Sequence, residues 1–388
     1  MSLSSLSRRS VFYIFILFAL FLGASRAQAL ETIAKEAILI DFNTGTVLFA
    51  KNADAPMRPA SMSKMMTVYM LFERLRDGRL SLDDTFSVSE RAWRRGGAKS
   101  GSSTMFLEPG KRVKVEDIIP GIVVQSGNDA AIVVAEGLAG SEEAFADEMT
   151  MRGKEIGLKN STFKNATGWP EEGHLTTARD LATLAIRTIK DFPEYYHYYS
   201  IRSFTYNGIK QNNRNPLLYK NMGVDGLKTG HTVESGYGLV STVVRGDRRL
   251  VLVLNGLPSK KARSRESERL LEWGIREFDN YALFKAGEEV AKANVWLGKK
   301  ARVPLIIKKD LVLVLPRKSR REMKVTVRYK GPIAAPVKKG TEVAELLVSI
   351  PKSDPWVFPL VAGEDSQRLG LIGRLGAAVQ YILWGDAG

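Results

Sequence analysis

Hydrophobic positions along this chain change their spacing several times, and each change marks an element. The first is a block. Arg8 and Arg9 precede an unbroken apolar run from Val11 to Leu22, and Ala27-Gln28-Ala29 follows. A basic start, a short apolar core and a small-x-small triplet make a cleavable export signal, assigned to residues 1–29. The run falls short of the roughly 20 residues that a spanning helix needs. Two apolar stretches, Ala37–Asp41 and Val47–Phe49, then flank Asn43-Thr44-Gly45 and predict a β-hairpin. From Ser61 to Leu75 the spacing turns helical, with Met65, Val68, Met70 and Leu71. Val115–Val124 and Ala130–Leu138 predict a buried helical region. Leu239–Val244 and Leu250–Leu254, separated by Arg245-Gly246-Asp247-Arg248-Arg249, predict a second hairpin, and Arg263–Phe278 a helix.

Near Leu283 the character shifts. Short β-prone runs alternate with Lys, Arg, Gly and Pro turns: Ala293–Leu297, Val303–Ile307, Leu311–Leu315, Lys324–Tyr329 and Leu346–Ile350. That spacing predicts a small β-rich domain. The tail is helical again, gathering Leu371, Ile372, Leu375, Ala378, Val379, Ile382 and Leu383 on one arc with Tyr381 and Trp384 beside it. Such a face suits a membrane interface or, as the alternative, packing on the chain's own β-domain. Gly370, Gly373 and Gly376 weaken its intrinsic helicity, so an external surface has to stabilise it. The resulting organisation is a signal (1–29), a main domain (30–283), a β-rich domain (284–365) and an amphipathic helix (366–388).

Composition narrows the function classes. A chain of 388 residues exceeds what one core usually serves. The net charge of +15 falls to +12 without the three arginines of the signal, which favours anionic partners such as phospholipid headgroups or an acidic wall polymer. Nucleic acid is disfavoured by export and by the lack of an aromatic-plus-basic recognition motif. With no cysteine, disulfides, thiol catalysis and cysteine-ligated zinc are excluded. The three histidines, His174, His197 and His231, lack paired metal-ligand spacing, so no metal and no cofactor is expected.

Candidate chemistry rests on three ordered motifs. Ser61-Met62-Ser63-Lys64 is followed 65 residues on by Ser126-Gly127-Asn128, and after another 102 by Lys228-Thr229-Gly230. Two other S-x-x-K matches, Ser161–Lys164 and Ser349–Lys352, have no such sequel. A serine hydroxyl needs a neighbouring base, and positions i and i+3 of a helix share a face, so Lys64 can stand beside Ser61. Lys64 serves as base only if burial or a second cation lowers its pKa, and Lys228 is a candidate for that cation. Ser126 can relay a proton to a leaving amine. Asn128 can bond a substrate carbonyl and the lysine. Lys228-Thr229-Gly230 reads as a strand edge where Gly230 admits a substrate backbone, Thr229 bonds a carboxylate and Lys228 attracts it. The backbone N–H groups of Ser61 and His231 are the oxyanion donors. No G-x-S-x-G turn occurs, which disfavours a Ser-His-Asp triad.

Pro59-Ala60-Ser61-Met62-Ser63-Lys64-Met65-Met66-Thr67 and Val224-Asp225-Gly226-Leu227-Lys228-Thr229-Gly230-His231-Thr232 resemble the low-molecular-mass penicillin-binding proteins, specifically the serine-type D-alanyl-D-alanine carboxypeptidases. The resemblance runs from about Ile33 to Phe278 and continues more weakly to the tail. It implies an α/β (α+β) fold: a serine β-lactamase/transpeptidase-like domain with an antiparallel sheet flanked by helices, then a β-rich domain. It also implies an acyl-enzyme on peptidoglycan stems ending in D-Ala-D-Ala, covalent capture of β-lactams at Ser61, and attachment to a membrane surface by the C-terminal helix. Arg265, in Ser264-Arg265-Glu266-Ser267-Glu268, is carried onto the family's arginine near the terminal carboxylate, and Arg214 onto one at the edge of the site. Ordinary surface arginines are the alternative for both. His174, Arg179 and Asp180 read as structural, with Asp180 pairing Arg179 or capping a helix, and His197 as a packing residue. Competing readings are a β-lactamase, disfavoured because Glu171 and Glu172 lack that class's motif, a D,D-endopeptidase, and a non-catalytic wall-binding protein.

Overall fold

A computed structural model of the chain describes residues 30–351 and 353–384. The predicted signal, residues 1–29, lies outside them, as does the end of the tail. Residues 30–33 carry neither helix nor strand. From Ala34 onward the first hairpin forms as expected, β1 (Glu36–Asp41) against β2 (Val47–Lys51). Three further strands, β3 (Val224–Thr232), β4 (Gly236–Arg245) and β5 (Arg248–Leu257), complete an antiparallel sheet in the order β2-β1-β5-β4-β3. This order leaves β3, which carries Lys228-Thr229-Gly230, on an edge.

The apolar run of β5 is continuous because both its faces are covered. Successive strand residues point to opposite sides. Ile38, Ile40, Val251 and Val253 join the main helical core. Leu39 and Leu250 instead meet Gly274 of the helix Lys260–Glu277 on the other face. The helix α1 (Lys64–Arg76) runs through the interior, buried on almost every side from Lys64 to Phe72. Packed near it are α2 (Val115–Val123), α3 (Asn128–Ala139) and α4 (Ala178–Asp191). Thr177 caps α4 by accepting a hydrogen bond from the Asp180 N–H, and Ser259 caps the helix α5 (Lys260–Glu277) in the same way through Ala262.

The predicted β-rich region contains a six-stranded sheet and a separate pair, with its own core of Val295, Val303, Leu305, Leu346, Val348 and Leu360 among others. Strand Phe278–Phe284 starts where α5 ends and pairs with Leu311–Pro316, and its Tyr281, Leu283 and Phe284 pack on that second core. Strand Trp356–Ala362 was not anticipated. The terminal helix spans Leu371–Trp384. Among the described residues no helix is long and apolar enough to cross a membrane.

Candidate active site

The chain enters the site through a strained turn. Ala60 sits at φ +49°, a region a β-carbon disfavours, and Ala60–Ser63 then forms a 3-10 turn before α1 begins at Lys64. A 3-10 turn has three residues per revolution, so positions three apart eclipse each other more closely than on an α-helix. Lys64 Nζ accordingly lies 3.2 Å from Ser61 Oγ. Ser126 is the second strained residue, at φ +60°, just before α3. Asn128 opens α3, and its Oδ1 accepts from Lys64 Nζ at 2.6 Å. Lys228 Nζ donates to Ser126 Oγ at 2.9 Å. Two non-glycine residues with positive φ on the nucleophile and relay turns are the kind of strain that a packed surround has to hold.

Packing behind the site also requires a glycine at position 230. A β-carbon there would lie 2.9 Å from Pro59 O and 3.1 Å from Met62 Cγ, so its absence lets β3 close on the nucleophile's turn from behind. Gly168 plays the same part on another side. It has φ +78°, and a β-carbon would come within 1.9 Å of Ala60 O.

Lys64 is fully buried, and burial together with the positive charge of Arg214 lowers its pKa to about 7, against the opposing pull of Asp129 and Glu142. Arg214 is thus a cation acting on Lys64, and Lys64 and Lys228 repel each other in turn: burial, then the charges of Lys64, Arg214 and Arg263, hold Lys228 well below the ordinary lysine range. Thr167 O accepts from Lys64 Nζ at 2.5 Å, a partner the motifs do not announce. A neutral amine has two N–H groups. Asn128 Oδ1 and Thr167 O take both, which leaves the lone pair for the Ser61 hydroxyl.

Ser61, Ser126, Thr229, Gly230, His231 and Arg214 line one cleft of about 530 Å³, beside buried Lys64, Asn128 and Lys228. Arg265 is a correction. Its side chain is 68% exposed and turns to Glu266, whereas Arg263 faces the cleft. Two residues on a helix turn by about 200°, so a shift of two positions exchanges inside for outside. Arg263 keeps a pKa of about 10, lowered by burial, and Arg214 is also lowered by burial. Ser103, Tyr237 and Lys260 complete the lining, with Arg214 Nη1 donating to Ser103 Oγ and Tyr237 stacked on His231 at 3.9 Å. None of these three belongs to a motif.

Asp129, next to Asn128, was also missed. Its carboxylate accepts from Thr104 Oγ1 and from the N–H groups of Met105 and Leu107, which pins the loop carrying Ser103. Asp180 neither pairs Arg179 nor supplies the cap: its Oδ2 accepts from Ser161 Oγ and the Asn160 N–H, while Arg179 pairs Asp54. Glu171 accepts from Asn165 Nδ2 at 2.9 Å. Among the described residues no group of three or more His, Asp or Glu could hold a metal ion.

With this geometry in hand, the similarity to known proteins takes on meaning. The profile "D-alanyl-D-alanine carboxypeptidase" matches residues 23–258. The chain belongs to that family. The profile "Penicillin-binding protein 5, C-terminal domain" matches residues 278–368, starting at the strand that pairs into the second core. D-alanyl-D-alanine carboxypeptidase DacA of Escherichia coli (strain K12) is 37% identical over 90% of this chain and 87% of its own length. Penicillin-binding protein 5 of Haemophilus influenzae is 34% identical, covering 87% of this chain and 99% of its own, with a TM-score of 0.76. The carboxypeptidase DacD of Francisella tularensis, at 28% identity, superposes with a TM-score of 0.80 over 87% of this chain and 95% of its own. The chain is therefore an enzyme, a serine-type carboxypeptidase of the penicillin-binding kind, and its mixed fold with a β-rich second domain is the family's.

Proposed function

We propose that the enzyme removes the last D-alanine from peptidoglycan stem peptides ending in D-Ala-D-Ala, through an ester on Ser61. One observation carries this reading: a fully buried amine stands 3.2 Å from a serine hydroxyl and also bonds Asn128 Oδ1 and Thr167 O. Lys64 takes the Ser61 proton as Oγ attacks the carbonyl carbon. The backbone N–H groups of Ser61 and of His231, on the edge strand β3, hold the oxyanion. Ser126, hydrogen-bonded to Lys228, gives its proton to the departing D-alanine nitrogen as the C–N bond breaks and regains one from Lys64, which is left neutral again. Water, activated by Lys64, then cleaves the ester. Asn128 orients both the lysine and the substrate amide. Thr229, Arg214 and Arg263 receive the terminal carboxylate, with Arg263 taking the role assigned from sequence to Arg265. A β-lactam acylates the same oxygen, but its leaving nitrogen stays tethered.

We further propose export, with a site of action outside the cytoplasmic membrane and attachment by the terminal helix. Leu371, Ile372, Leu375 and Val379 are 74%, 88%, 69% and 54% exposed, an apolar face with no cover of its own. The domain boundary is set at Phe278. Neither β-lactamase nor wall-binding scaffold gains support from any feature of the site.

A pentapeptide stem and a cross-linked stem dimer, each incubated with the purified enzyme, test the reading. Release of D-alanine from the pentapeptide with the dimer intact supports a carboxypeptidase, and preferential cleavage of the dimer makes it an endopeptidase. Truncation after Gln367 is expected to move the protein into the soluble fraction with pentapeptide hydrolysis unchanged. A truncated protein that stays with membranes means the anchor lies elsewhere.

A further inference from the structure

Glu142 is a buried carboxylate that the mechanism above does not use. It opens the helix Glu142–Glu155, and its side chain is 5% exposed. One oxygen, Oε1, accepts from the Ala166 N–H at 3.2 Å. The Ala166 carbonyl accepts from Thr67 Oγ1 at 2.8 Å, three residues beyond Lys64 on α1. The next carbonyl, Thr167 O, is the one that takes Lys64 Nζ. Asn165 Oδ1 closes the turn by accepting from the Thr167 and Gly168 N–H groups at 3.2 and 2.8 Å. The other oxygen, Oε2, faces Arg91 at 3.7 Å and Arg95 at 4.0 Å on the outer helix Glu90–Gly96.

We propose that Glu142 is a positioning residue for the general base, fixing the Ala166–Thr167 backbone so that its carbonyl takes one N–H of Lys64 and the lone pair stays on Ser61. The proposal rests on Lys64 acting as that base. An amine that loses one of its two acceptors turns freely about Cε–Nζ, and its lone pair then spends less time on the hydroxyl. A misplacement of about 1 Å near reacting atoms can lower a rate about 100-fold.

The carboxylate also acts through its charge. Lys64 is faced by positive Arg214 and Lys228, by negative Asp129 and Glu142, and by neutral His174. Glu142 is faced by Arg91, Arg95, Glu143 and Lys64. Burial raises the carboxyl of Glu142 above its ordinary range, with the Ala166 N–H and the two arginines opposing. When ionised, Glu142 favours the protonated form of Lys64, so its neutralisation lets the amine shed its proton at lower pH.

The experiment measures β-lactam acylation of Ser61 against pH, kcat and KM on a pentapeptide stem, and thermal unfolding, for the wild type, Glu142→Ala and Glu142→Gln. Glu142→Ala is expected to lower kcat about 10- to 100-fold with KM nearly unchanged. Glu142→Gln keeps an oxygen for the Ala166 N–H, so kcat should return to within about threefold of wild type. Its acylation midpoint should also lie at lower pH. Full kcat in Glu142→Ala overturns the proposal. So does a folded Glu142→Gln as slow as the alanine variant, or one with an unmoved or raised midpoint. If Glu142→Ala fails to fold, the rate and midpoint of Glu142→Gln decide alone. A wild-type profile without an ionisation near 7 removes Lys64 as the base, a failure distinct from a pH-dependent wild type beside a fully active Glu142→Ala.

Discussion

The peptidase domain and the β-rich domain bury very different things. Among the described residues, Lys64, Asn128, Asp129, Ser126, Lys228 and many other polar side chains are buried before Phe278, whereas Ser366 alone is buried after it. The second core is Val, Leu, Ile and Ala, which needs no directional partner. The first core supplies partners to enclosed polar groups such as Lys64, Asn128 and Asp129, and an unpaired buried one costs roughly 1–3 kcal/mol. Those partners fix side-chain positions, which is what a lysine acting as a base requires. Chemistry therefore sits in the domain where polarity is buried.

Substitutions on the two sides sharpen that contrast. The largest effect is expected from Ser61→Ala, which should abolish both pentapeptide hydrolysis and covalent penicillin labelling; a labelled Ser61→Ala protein would move the nucleophile elsewhere. Lys64→Ala comes next, with acylation about 100- to 10,000-fold slower, the usual worth of a general base. A stopped-flow acylation rate within about tenfold of wild type would remove Lys64 from that role. Arg263→Ala should lower kcat/KM about tenfold or more through a lost charge-assisted bond to the carboxylate, with Arg265→Ala near wild type. The reverse ranking would restore the sequence-based assignment. Across the boundary, Leu346→Ala should destabilise the β-rich domain by about 2–5 kcal/mol while leaving kcat untouched. A fall in kcat at temperatures where it stays folded would break the division between the halves.

Local pattern foretold much of this molecule and could not foretell the rest. Both hairpins, the helix behind Ser61 and several strands of the second domain follow from alternation and helical spacing over a few residues. Ser61, Lys64, Ser126, Asn128 and Lys228 stood out because their motifs are short and ordered, and the fold brings them into one place. Thr167 was not, because a backbone carbonyl carries no residue signature and reaches Lys64 from 103 positions away. Asp129 was passed over although it adjoins Asn128, since its work lies in a loop 22 to 25 residues earlier. Arg263 was confused with Arg265 because the segment Ala262–Arg269 offers three arginines, and only the helical phase tells which one faces inward. Strand Phe278–Phe284 was not anticipated because it follows α5 without a break, so no turn announced it.

Lys64 Nζ is the centre of the account, and its ionisation can be read directly by isotope-edited NMR titration of the lysine side chain. The amine is expected to lose its proton with a midpoint near 7, and the acylation rate of Ser61 to rise with pH along the same curve. An ammonium that keeps its proton well above that range while acylation proceeds at full speed would contradict it.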